Sequence, residues 1–195
     1  MVKIIQKIVI IGSLIVSGLF FIYTLGFSTP WANGFRYGEG EGGFFTVAQQ
    51  VNHLMFPWGF WTLVCSLLGF IFQSHKTRHF YLLNYLFLGA TIYCSINAAL
   101  ITLENVPPLK EVYLNLDLMS HRIVLSGAAL RPLFPTDMPV AEIVQKVAVI
   151  FDIGPWIAYG LLGWSGLLAG LAILKTVIRV FKTIERRRWE EETCR

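Results

Sequence analysis

The chain has 195 residues, 55% of them hydrophobic and 14% aromatic, with a formal charge of +4. That much apolar surface exceeds what a soluble domain of this size can bury and points to an integral membrane protein. Of the 16 Lys and Arg, 11 fall in expected cytoplasmic segments (Lys3, Lys7, Lys76, Arg78, Lys175, Arg179, Lys182, Arg186, Arg187, Arg188, Arg195), so the basic balance reports membrane orientation and excludes nucleic acid as its partner.

Met1 to Lys7 is short and basic. Positions 8–27 carry no charge and reach across about 30 Å of hydrocarbon, which makes them the first transmembrane helix, entering from the cytoplasm. The run is longer than a signal-peptide core, and no small-x-small site follows it.

Positions 28–53 form the first expected exported loop. Pro30, Asn33, Gly34 and the run Gly38 to Gly43 disfavour regular structure, while Trp31, Phe35 and Tyr37 suit the headgroup zone. The glycine run lacks the preceding strand and the following Lys-Ser/Thr of a phosphate loop. A helical pattern can begin at Phe44, with Gln49, Gln50, Asn52 and His53 leading into the second span, 54–72. Pro57 stands in the first membrane turn, where its missing donor costs least.

His75-Lys76-Thr77-Arg78-His79 is a short basic turn, so helices two and three are expected to be antiparallel neighbours. His75 and His79 have a four-residue spacing but no third metal ligand near them. Lys76 and Arg78 are expected to meet anionic lipid. In the third span, 80–103, polar groups turned to lipid would leave hydrogen bonds unmet, so Ser95 and Asn97 are expected at a helix contact. Cys65 and Cys94 lie at similar depth and can meet as small packing residues; together with Cys194 they form no zinc, haem or dithiol spacing.

Positions 104–154 form the second expected exported loop. Pro107-Pro108 is expected to end helix three. The stretch 122–134 is apolar for a loop, and Leu125, Leu130, Leu133 and Phe134 are expected to cover the helix ends or a partner. A short amphipathic helix follows, with Asp137 as its cap, Pro139 in its first turn and Glu142 near its positive end.

The fourth span covers 155–177. The apolar pattern from Val147 to Ile178 would be roughly 48 Å long as one helix, so a bend is expected at Gly154-Pro155, lifting Asp152 to the outer interface. There Asp152 can bind a cation or pair with Arg122 or Arg131. Gly163, Gly166 and Gly170 form a close-packing face, with Ser13 and Ser17 offering a complementary small face. The tail, 178–195, places Arg186, Arg187 and Arg188 at anionic lipid, each contributing about 1 kcal/mol.

The expected fold is an all-α integral membrane protein: one four-helix membrane domain over 1–195, both termini cytoplasmic, with two exported loops, the second carrying the short amphipathic helix. No internal repeat or coiled-coil heptad stands out. The chain has no CxxC, HExxH or serine–histidine pair at matching depth, so no catalytic residue, metal or cofactor is expected. The expected function is a non-enzymatic subunit of the cytoplasmic (plasma) membrane that binds lipids and other membrane subunits of a larger complex. A small oligomeric transporter or channel using Asn97, Ser95 and Asp152 is the alternative.

Overall fold

The structure, a computed structural model, describes residues 2–32, 42–73, 78–117, 121 and 138–193. The described residues include four long helices: α1 (Val2–Ala32), α2 (Gly42–Gln73), α3 (Arg78–Leu114) and α4 (Val140–Thr193). Each is long and apolar enough to cross a bilayer, which is the architecture of a multi-pass membrane protein.

Neighbouring helices run antiparallel. Ser13 of α1 meets Ser66 of α2, and further along α1 Phe20 lies against Gly59, so the two numberings run in opposite directions. Asn84 on Gly69 and Tyr113 on Phe44 set the same relation between α2 and α3. Tyr85 with Thr176 and Lys110 with Asp152 do so for α3 and α4. Trp164 on Val9 and Tyr23 on Ile150 close α4 back onto α1. The result is an up-down-up-down ring of four helices.

Every helix runs past its expected span. Positions 28–32, 42–53, 104–114 and 140–154, assigned above to exported loops, are helical. The cause is a second stretch of core beyond the uncharged spans. On α2, Phe44, Ala48, Val51 and Met55 recur at helical spacing; on α3, Val106, Leu109 and Tyr113; on α4, Ile143, Val147 and Phe151. All are buried together. Burying each large side chain among them contributes about 1.5–3 kcal/mol, enough to hold helical turns that polar residues line on the outside.

Pro107-Pro108 therefore does not end α3. Both prolines lie inside the helix with their rings exposed, while the opposite face, Val106, Leu109 and Tyr113, is held in the core. Each proline removes one helical donor, and the apolar face outweighs that loss.

The described residues of the expected short amphipathic helix, from Val140 onward, are the first turns of α4 rather than a separate element. Pro139 stands before the helix rather than in its first turn, its carbonyl accepting from Glu142 N at 3.1 Å and Ile143 N at 3.2 Å. Asp137 lies outside the described residues. The helix also continues through Gly154-Pro155. Its 54 residues are about 81 Å long at 1.5 Å per residue, so the excess over a bilayer core is taken up by extension at both ends.

Candidate functional site

Three places in the bundle bring polar or unpartnered groups together. The first is the end formed by the extended helices. Lys110 Nζ binds Asp152 Oδ1 at 2.6 Å and Oδ2 at 2.8 Å. Because α3 survives its two prolines, it delivers Lys110 to α4; Arg122 and Arg131, the partners expected from sequence, lie outside the described residues. The pair is partly exposed, and such pairs contribute at most about 1 kcal/mol. Next to it Tyr23 Oη donates to the Ile150 carbonyl at 3.3 Å. A Cβ on Gly154 would collide with the Tyr23 phenol, so glycine there allows the close approach of α1 and α4.

At the same end Tyr113 is wholly buried between Phe44, with ring centroids 5.7 Å apart, and Phe151, at 5.3 Å. His121 stands edge-on to Tyr113 at 5.0 Å, with Nδ1 3.0 Å from the Asp117 carbonyl. Tyr113 Oη and His121 Nε2 are buried without a hydrogen-bond partner among the described residues.

The second place is the interior. Ser13 Oγ lies 3.3 Å from Ser66 Oγ. Ser17 Oγ and Thr62 Oγ1, one turn along the same helix pair, are buried without a partner among the described residues. Ser13 and Ser17 thus line the α1–α2 contact, and the glycines of α4 do not face them. A cavity of about 10 Å³ beside Ser13, Ser66 and Thr91 is at the lower limit for one water. Ser95 is buried. Asn97 is half-buried and its Nδ2 donates to the Tyr93 carbonyl at 2.8 Å, within its own helix. The free thiols Cys65 and Cys94 sit side by side between α2 and α3.

The third place is the outer face of α4. Gly163, Gly166 and Gly170 are exposed, and a Cβ on any of them would meet nothing within 4 Å. Elsewhere glycine serves a contact: a Cβ on Gly12 would fall inside the indole of Trp164, whose Nε1 donates to the Val9 carbonyl at 2.8 Å. Beyond the bundle α4 projects with Arg186, Arg187 and Arg188 exposed. Arg78 opens α3. Lys76, Leu125, Leu130, Leu133 and Phe134 lie outside the described residues.

Among the described residues no group of three His, Cys, Asp or Glu is placed to hold a metal ion. No protein-family model, curated protein or solved structure matches the chain. Sequence reasoning missed Lys110, Tyr113 and Trp164. Tyr113 had a signal, its spacing from Val106 and Leu109, which the prolines concealed.

Proposed function

We propose that the chain is a non-enzymatic membrane subunit that binds and scaffolds other membrane proteins of a larger complex. The observation that carries this reading is the outer face of α4. A lipid-facing surface is usually filled by bulky apolar side chains, as on α1 by Ile8, Ile11, Ile15, Leu19 and Ile22. On α4 the corresponding face is notched by Gly163, Gly166 and Gly170, which suits close approach of another helix and leaves lipid chains poorly packed.

The basic segments at the chain ends and at the start of α3 support a topology in which both termini lie on the cytoplasmic side of the cytoplasmic (plasma) membrane, with the extended helical end outside. In that orientation Lys76, Arg78, Arg186, Arg187 and Arg188 meet anionic lipid. A transporter using Asn97, Ser95 and Asp152 draws less support: Lys110 engages Asp152, and Asn97 bonds its own helix.

Purification in mild detergent through a tag on the tail is expected to recover a different membrane protein in fixed stoichiometry. Gly166→Leu with Gly170→Leu is expected to reduce that recovery. A lone monodisperse chain, with nothing recovered, contradicts the proposal.

A further inference from the structure

The glycine notch belongs to a longer pattern. Along the exposed side of α4, Trp156, Tyr159, Gly163, Gly166 and Gly170 are spaced alternately three and four residues apart. The alternation continues through Ile173, Val177, Val180 and Ile184, and every one of these residues is exposed. This is the heptad spacing of a coiled-coil seam, sustained over about 29 residues or roughly 43 Å of helix.

The end of the seam, Val180 and Ile184, lies beyond the expected fourth span, 155–177. From Lys175 onward the helix carries Lys175, Arg179, Lys182 and Arg186, yet Val180 and Ile184 remain 52% and 48% exposed. An apolar stripe in that setting calls for a cover.

We propose that a second copy of this chain supplies it, α4 packing on α4 in parallel as a left-handed coiled coil that starts in the membrane and continues into the cytoplasm. Two copies inserted in the same direction bring identical seams together in register, as a parallel pair requires. The charges agree. With Val177 and Ile184 at position a and Ile173 and Val180 at d, the four basic residues fall at c and f, on the far side of the helix. The flanking e and g positions, where like charges would repel across a homodimer, hold Leu174, Thr176, Phe181 and Thr183. Arg187 and Arg188, at d and e, end the seam.

A shallow groove on the tail has Val180, Thr183, Ile184 and Arg187 among its walls. These are residues i, i+3, i+4 and i+7, the four that form a hole for a facing knob. Three glycines on the seam let two backbones approach closely and would leave a void at the centre of three strands, so the assembly is a pair. The membrane surface is a poorer occupant. Lys175, Arg179, Lys182 and Arg186 oppose the stripe instead of flanking it, and α4 is an unbroken helix that does not turn to lie along the bilayer.

This inference rests on the scaffold reading and gives the glycine face one occupant: the second copy fills it, and the different subunits of that reading are held by the paired chains, so loss of the pair also lowers their recovery. Recovery of a different protein tests that reading, whereas contact between identical chains tests this one. The experiment uses full-length protein in native membranes with Cys194→Ser as the parent, whose own dimer yield is the background. Single cysteines are introduced by Val177→Cys, Val180→Cys and Ile184→Cys on the seam and by Lys182→Cys and Arg186→Cys off it, then oxidised with copper phenanthroline. Seam positions are expected to give a disulfide-linked dimer, while the others stay at background, because only seam Cα atoms come within bridging distance. Val180→Asp with Ile184→Asp is expected to abolish the dimer in single-molecule subunit counting with an unchanged melting temperature, since both side chains are exposed in the monomer. Equal yields on and off the seam, background yields throughout, or a monomer whose seam cysteines are shielded from a water-soluble maleimide by lipid would each overturn the proposal.

Discussion

At Gly12 a Cβ would fall inside the Trp164 indole, whereas at Gly163 it would meet open space. The same residue type therefore serves contact within the chain at one position and an outward face at the other. Gly12→Leu is expected to destabilise the monomer by about 1–3 kcal/mol, the usual cost of overpacking, through loss of the indole's seat and its bond to the Val9 carbonyl. Gly163→Leu is expected to leave the monomer unharmed, and to favour the helix slightly, because glycine lowers helix propensity by about 1 kcal/mol. Unfolding the two variants side by side in detergent checks this; equal losses would mean that α4 packs its glycine face inward.

At the scale of the helix, the decisive element is α3 beyond its two prolines. Leu109 is wholly buried and Val112 is 37% exposed on the same turn. Leu109→Ala is expected to cost about 2–5 kcal/mol and Val112→Ala under about 1 kcal/mol, read as shifts in thermal midpoint. If α3 stopped at Pro107, both changes would be small. This segment also shows where sequence reading ran out. The four spans were legible because long uncharged runs admit few other structures. The extensions were legible in part, as a helical pattern from Phe44 and a short helix before the fourth span; the continuation of α3 was not, because the helical spacing of Leu109 with Tyr113 matters only once the three helices are known to meet. Pro107-Pro108 read as a stop because its local cost was visible and the tertiary burial opposing it was not. The seam of α4 was hidden for a different reason: positions 153–174 carry no charge, so an apolar period cannot be picked out until the structure separates its buried side from its exposed one.

At the scale of the molecule, the described residues leave little room beside the polar groups inside the ring of helices. The cavity beside Ser13 and Thr91 is about 10 Å³; the Ser13 and Ser66 hydroxyls meet across α1 and α2, and that of Thr91 donates to the Phe87 carbonyl of its own helix. What the fold leaves unfinished faces outward, along one side of α4 from Trp156 to Ile184. Ion pairing contributes little to holding the ring, since the Lys110–Asp152 bridge is partly open to solvent. Stability rests on the apolar core that runs from the membrane into the extended end. The central claim is that the outer face of α4 is covered by protein in the membrane. A nitroxide attached at Ile173, compared with one at Ile15 on the lipid face of α1, tests it most directly through collision with dissolved oxygen in native membranes. Low oxygen accessibility at Ile173 beside high accessibility at Ile15 is the expected result; equal accessibility at the two positions would contradict it.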